Sequence, residues 1–276
     1  MYIQTTDGTT GRNIILTTPG SSGSTFFCKA LSQLPNVVAL NEPIPLKIYK
    51  NETTQKVCEL LKKRFKLARD QLMREGKTEN KVKGNTIELD DFGIQTEPFD
   101  LVIKQPLTFT ALIGNKALEC FEWYALVRNP LITLCSWVKN SKKLQAGREG
   151  RATTAEMHSP KLKNILDNLT NNGASKDQLR LALLNWAFEK YKTLPERCVI
   201  RYEDFVASPL HALEQIVPAA KKSSIIKIQT IDGNANPAYM KNAQIFANLV
   251  FNIPDNSPIL KFYTRNEVQS ALNKLT

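Results

Sequence analysis

The sequence predicts a three-layer α/β domain, a central parallel sheet flanked by helices on both faces. Two observations carry this reading. Short, nearly continuous apolar runs, the mark of strands covered on both faces, alternate with stretches whose apolar residues recur at helical spacing. The chain also has 276 residues, 42% hydrophobic and 23% charged, ordinary for a globular protein and enough for one sizeable core. No internal repeat or low-complexity tract divides it, so 1–276 reads as one domain. A polar excursion spans about 76–98, and a helical C-terminal part spans about 218–276.

The elements follow in order. Asn13-Ile14-Ile15-Leu16-Thr17-Thr18 reads as a buried strand that stops at Pro19-Gly20, and Phe26, Phe27, Ala30, Leu31 and Leu34 set a helix over 24–34. Val37-Val38-Ala39-Leu40 is a second strand, closed by Asn41-Glu42-Pro43. A basic helix is expected over about 53–75. Leu101-Val102-Ile103 is a third strand, followed by a helix over about 108–119 and the strand Trp123-Tyr124-Ala125-Leu126-Val127. Pro130 suits the first turn of the next helix, where its missing N–H costs nothing. Ser175-Lys176-Asp177-Gln178 reads as a capping box for a helix to about 192. Cys198-Val199-Ile200-Arg201-Tyr202 is a further strand, and Ser208-Pro209 caps the helix after it.

Composition excludes several classes. No run of about 18 uncharged apolar residues exists to cross a membrane. The first residues lack the basic and apolar regions of a secretory signal. Five scattered cysteines without a CxxC pair, three of them in apolar contexts, indicate neither a zinc site nor a disulfide scaffold, and fit a reducing cytoplasm. With only His158 and His211, metal and histidine-base mechanisms have few candidates, and no metal is expected. The net charge of +11 favours an anionic partner. Nucleic acid is not the expected one, because the basic residues are dispersed and not interleaved with aromatics.

In a parallel α/β sheet, ligands bind beyond the carboxyl ends of the strands. The exits here are 19–25, 41–43, 104–106, 128–130 and 202–204. At the first, Pro19-Gly20-Ser21-Ser22-Gly23-Ser24-Thr25 offers small residues, hydroxyls and the free N–H groups of a helix start, a P-loop-like anion cradle. The spacing is not that of a Walker A loop, and no lysine precedes Ser or Thr, which disfavours a P-loop kinase. The same residues also suit a plain glycine turn with Ser24 as N-cap. Arg128 can fork onto a phosphate with Ser136 reaching the same group from the next helix, or can simply pair with a carboxylate.

Taken together these residues resemble the sulfotransferases that use 3′-phosphoadenosine 5′-phosphosulfate (PAPS), closest to the tyrosylprotein and bacterial branches. Ser22-Gly23-Ser24-Thr25-Phe26 resembles the family's first motif, which implies that it holds the donor's 5′-phosphosulfate, with Ser21 beside it. Val127-Arg128-Asn129-Pro130 with Ser136 resembles the second, which implies 3′-phosphate binding. Asn41-Glu42-Pro43, Ile103-Lys104-Gln105-Pro106 and Arg201-Tyr202-Glu203-Asp204-Phe205 resemble further segments, in order from about 13 to 217.

The resemblance implies transfer of a sulfuryl group to a hydroxyl or amine acceptor, with no metal. It implies Glu42 as general base, Lys104 as cation on the transferring group and Tyr202 in the nucleotide pocket. Lys241 and Asn242 are candidates to close over the nucleotide. Lys139–Lys143 with Arg148 and Arg151 reads either as a cover over an anionic substrate or as a solvated loop. One departure weighs on activity. The family carries Lys or Arg where this chain has Ser21, and a missing cation there costs several kcal/mol of transition-state stabilisation. The arginine expected four positions after Ser136 is Asn140, beside Lys139. The alternative is therefore a non-catalytic, sulfotransferase-like nucleotide- or anion-binding protein.

Overall fold

The computed structural model describes residues 3–4, 10–44, 46–76, 81–82, 85–86, 98–139, 151–218, 220 and 237–276. Five strands form the central sheet: β1 (Asn13–Thr18), β2 (Val37–Asn41), β3 (Asp100–Pro106), β4 (Glu122–Val127) and β5 (Val199–Arg201). Their order is β2-β3-β1-β4-β5, and every pairing is parallel. Two small antiparallel ladders stand apart, Ile3–Gln4 with Thr10–Gly11 and Lys81–Val82 with Asn85–Thr86. The helices are α1 (Ser24–Leu31), α2 (Leu46–Asn51), α3 (Thr54–Glu75), α4 (Thr108–Leu112), α5 (Pro130–Lys139), α6 (Arg151–Met157), α7 (Pro160–Asn171), α8 (Lys176–Tyr191), α9 (Tyr202–Ala207), α10 (Pro209–Glu214), α11 (Pro237–Phe251) and α12 (Arg265–Asn273).

The three-layer expectation holds, and strand alternation explains it. Ile14 and Leu16 of β1 face one cluster with Phe27 and Leu31 of α1, Phe205 of α9 and Leu213 of α10. Ile15 between them points to the opposite face, with Leu61, Phe65 and Leu72 of α3. Ala125 and Val127 of β4 meet a third cluster, built from α5, α8, α11 and α12. Among the described residues, no helix is long and apolar enough to cross a membrane.

Several expected boundaries hold because their caps form. Thr53 accepts the Lys56 N–H at the start of α3, and Gly76 ends it with φ 66°. The Ser175–Gln178 capping box opens α8, with bonds of 2.7 and 3.2 Å. Other boundaries differ. The helix expected over 108–119 stops at Leu112, because Gly114 turns into the left-handed region (φ 82°). Asn115 then caps a single 3₁₀ turn instead. The helix expected over 24–34 ends at Leu31. The last strand is confined to Val199–Arg201, and Tyr202 opens α9. Ser208 is the N-cap of α10, ahead of Pro209 as expected, but makes no side-chain cap bond; its N–H donates to the Asp204 carbonyl of α9 at 2.8 Å. Most of the polar excursion at 76–98 lies outside the described residues.

The amino edge of the sheet is locked by charge. Arg69 of α3 is buried, and its guanidinium donates to Asn13 Oδ1 (2.8 Å), the Phe99 carbonyl (2.9 Å) and the Arg12 carbonyl (2.7 Å). Burial lowers it to about 10, so it remains charged at neutral pH. Arg12 in turn pairs with Asp100 and Glu122. This clamp joins the starts of β1, β3 and β4, which leaves the carboxyl edge for ligands.

His158 is a structural staple. Its Nε2–H donates to the Tyr49 carbonyl at 2.9 Å, which leaves Nδ1 to accept the Thr54 hydroxyl at 3.1 Å. Burial holds the imidazole below its ordinary 6.5. The unfolded chain therefore takes up the proton first as pH falls. The staple's contribution is complete above about 6.5 and is lost as pH drops through the lower, folded value. Denaturant titrations between about pH 7.5 and 5.5 should show stability falling with acid, and His158→Gln should flatten that slope. An unchanged slope would remove His158 as its source.

Candidate functional site

The site grows from the end of β1, the central strand, where the chain order reverses between its two neighbours. The loop after Thr18 places Gly20, Ser21 and Gly23 in the left-handed region, at φ 87°, 57° and 77°. Ser21 is the costly one, because its Cβ crowds the following carbonyl. Neighbouring bonds hold the shape. Thr18 Oγ1 bonds the Ser22 hydroxyl and accepts the Gly20 N–H at 3.2 Å. The Trp137 indole N–H donates to the Gly20 carbonyl at 3.2 Å, and Arg128 Nη1 donates to the Ser21 carbonyl at 3.3 Å. Turns of this kind present successive N–H groups on a concave surface suited to an anion.

Gly23, not Ser24, is the N-cap of α1, and it makes no side-chain cap bond. A plain turn capped by Ser24 is therefore not what forms. Glycine is required at 23 for a second reason: a Cβ there would stand 2.1 Å from Tyr202 Cε2. Tyr202 lies under the loop, and the Arg128 guanidinium stacks on its ring at 4.9 Å. Loop, arginine and tyrosine thus form one packed unit, with Arg128 reaching the loop from the exit of β4.

A second unit forms at the exits of β2 and β3. Asn41 pairs in register with Lys104, and the Glu42 N–H donates to the Lys104 carbonyl at 2.8 Å. Glu42 turns with φ 55°, and Lys104 Nζ donates to its Oε1 at 2.8 Å. The two side chains are only 14% and 3% exposed, so their attraction is poorly screened. They adjoin α1. Asn41 Nδ2 donates to Thr25 Oγ1 at 3.1 Å, and buried Cys28 on α1, pushed up to about 12 by desolvation, senses both charges.

The remaining expected residues are placed as follows. Ser22 and Ser24 are buried, and Thr25 is exposed at the first turn of α1. Phe26 lies edge-on to Phe205, ring centroids 5.6 Å apart. Ser136 is buried in α5 one residue before Trp137. Lys241 is exposed and Asn242 half-buried in α11, which packs along α5. Among the described residues, no hydrogen bond or ion pair joins either to the loop. The basic stretch after Lys139, up to Gly150, lies outside the described residues, as does 234–236. His211 is exposed on α10. Among the described residues, no cluster of three or more His, Cys, Asp or Glu could hold a metal.

Sequence reasoning missed Trp137 and Thr18 as site-shaping groups, and flagged Asn41 only as part of the 41–43 exit. The neighbouring motif residues were the only signal for them, since each acts through side-chain hydrogen bonds that spacing cannot show.

No family model and no curated protein sequence matches the chain. Among solved structures it is similar to a sulfotransferase from Alicyclobacillus acidocaldarius, with a TM-score of 0.44 and 11% identity over 95% of this chain and 96% of that one. It is also similar to the sulfotransferase domain of the Synechococcus PCC 7002 olefin synthase, with a TM-score of 0.40 and 13% identity over 99% and 97%.

The Gly23–Tyr202 contact gives a direct test. Gly23→Ala should cost about 2 kcal/mol or more, from the left-handed backbone and the ring collision together. In a Tyr202→Ala background the collision is gone, so the cost of Gly23→Ala should shrink markedly in urea titrations. Equal costs in both backgrounds would show that the ring does not dictate glycine.

Proposed function

We propose that the protein is a sulfotransferase that moves a sulfuryl group from PAPS to a hydroxyl or amine acceptor. The observation that carries this reading is the convergence at one sheet edge. The anion-cradling loop, Arg128 on Tyr202, and the Glu42–Lys104 pair all meet around the end of β1 and the first turn of α1. These are the residues whose motifs resemble the family. The five free cysteines fit work in a reducing cytoplasm.

The donor supplies an activated S–O bond to phosphate. The loop N–H groups and the hydroxyls of Ser22, Ser24 and Thr25 hold its 5′ end, while Arg128 and Ser136 take the 3′-phosphate. Lys104 is both cation and regulator of the base. At rest its ammonium occupies Glu42 Oε1, the oxygen an acceptor's proton would need. When Lys104 turns to the transferring group, Glu42 is released to accept the acceptor's proton as the new S–O bond (S–N for an amine) forms and the S–O bond to phosphate breaks. The proton ends on Glu42, and Lys104 is the cation offered to the charge that develops on the leaving side.

A second reading, anion or nucleotide binding without turnover, is favoured by Ser21. Its backbone is engaged by Arg128, but its side chain supplies no cation where the resembling family has one. Ser21→Lys should raise turnover if the site is merely weakened.

Two measurements test these readings, the first the donor assignment and the second turnover. 3′,5′-Adenosine bisphosphate should raise the melting temperature well above the shift produced by ADP. At 100-fold over its dissociation constant a ligand contributes about 2.7 kcal/mol. Arg128→Ala should erase the difference, and equal shifts in the wild type would sink the donor assignment. With an acceptor identified, Glu42→Gln should lower kcat by about 10²–10⁴ with donor affinity nearly unchanged. Lys104→Ala should depress kcat more than donor binding. Full activity in Glu42→Gln would refute the base assignment.

A further inference from the structure

The segment after β5 forms a network directly behind Arg128. Glu203 accepts the Asn129 backbone N–H at Oε1 (2.9 Å) and the Tyr263 hydroxyl at Oε2 (2.7 Å). Burial and the nearby Glu203 carboxylate hold the Tyr263 phenol well above its ordinary range, so it stays a donor. Glu267 of α12 binds Arg201 Nη2, its backbone carbonyl accepts Asn129 Nδ2 at 3.3 Å, and it closes the α12 capping box on the Thr264 N–H at 2.8 Å. The Arg201 guanidinium covers the Tyr263 ring at 4.5 Å.

This network consumes the start of α5. The Asn129 N–H goes to Glu203, Pro130 has none to offer, and the Leu131 N–H goes to Asn129 Oδ1 at 3.1 Å. The Arg128 carbonyl accepts the Thr133 hydroxyl at 3.3 Å. The Asn129 and Leu131 N–H groups are therefore spoken for, and an anion at this exit relies on side chains, the Arg128 guanidinium foremost. That guanidinium is aimed by the residue behind it: the peptide joining 128 to 129 is gripped on both sides, by Thr133 and by Glu203.

We propose that Glu203, backed by Tyr263 and α12, is a positioning residue that sets Arg128 against the loop, so that the C-terminal helix governs selectivity for a 3′-phosphorylated nucleotide. The inference rests on the reading of Arg128 as the 3′-phosphate ligand. A carboxylate suits the place: it supplies two acceptors for two donors and puts negative charge at a helix N-terminus.

The test is the ratio of dissociation constants for ADP and 3′,5′-adenosine bisphosphate, measured by calorimetry on the full chain. A loss of folded protein scales both affinities alike and leaves the ratio unmoved, whereas a misaimed Arg128 lowers it. Glu203→Ala should cut the ratio about tenfold, within the range for coupled neighbours, and should have no further effect in Arg128→Ala. Glu203→Gln should rescue most of the ratio, since its oxygen can accept the Asn129 N–H while its amide donates to Tyr263. If Glu203→Ala does not fold, Tyr263→Phe decides, with an expected drop of about threefold. A ratio that Arg128→Ala abolishes but Glu203→Ala and Tyr263→Phe leave intact overturns this proposal alone. So does a Glu203→Ala effect that persists undiminished without Arg128. A wild type that binds both nucleotides equally, or neither, overturns it together with the reading beneath it.

Discussion

The buried Arg69 guanidinium is the constraint from which the rest of the site hangs. It satisfies the Asn13 amide and two backbone carbonyls at the amino edge of the sheet, where little water reaches it. A buried charge survives only when its donors are matched, and here each bond pins the entry of a strand or the segment just before it. Arg12 extends the lock to Asp100, Glu122 and the Ile216 carbonyl. With β1, β3 and β4 fixed in register at one edge, their other ends leave the sheet at fixed positions. The loop, Lys104 and Arg128 inherit those positions.

Strain and burial are concentrated at that second edge. Ser21 and Glu42 adopt left-handed backbone without being glycine, and Lys104 lies almost fully buried against Glu42. Such features persist only where surrounding contacts over-determine them. Arg128 and Trp137 hold the loop carbonyls, and Lys104 holds the Glu42 backbone as well as its side chain. The two units are mechanically linked through α1, by the bond from Asn41 to Thr25 and by the packing of Phe26 and Phe27 on Phe205.

Much of this was legible in the sequence because it depends on local rules. The apolar runs of β1, β2 and β4, the Ser175 capping box and the Thr53–Gly76 limits of α3 each follow from spacing or from one side chain bonding its own backbone. Reading failed where two local signals competed. Apolar spacing extended a helix to 119, yet Gly114 and Asn115 favoured a turn. Tyr202 looked like a strand residue by composition, yet the acidic pair Glu203-Asp204 starts a helix there. Ser208 does hold the N-cap position of α10 with Pro209 after it, but its side chain makes no cap bond.

By itself, the sequence determined the layer order of this protein and the five strand exits at which polar residues gather, because hydrophobic periodicity and turn chemistry act over a few residues. Only the tertiary structure decided which exits meet. Glu42 pairs with Lys104 because β2 and β3 are neighbours, although the two residues are 62 positions apart. Tyr202 dictates glycine at 23, and Glu203 grips Asn129 from the exit of the neighbouring strand, 74 positions away. Contacts at such separations are set by strand order and packing, whose loop-closure cost the chain recovers only when the whole core forms.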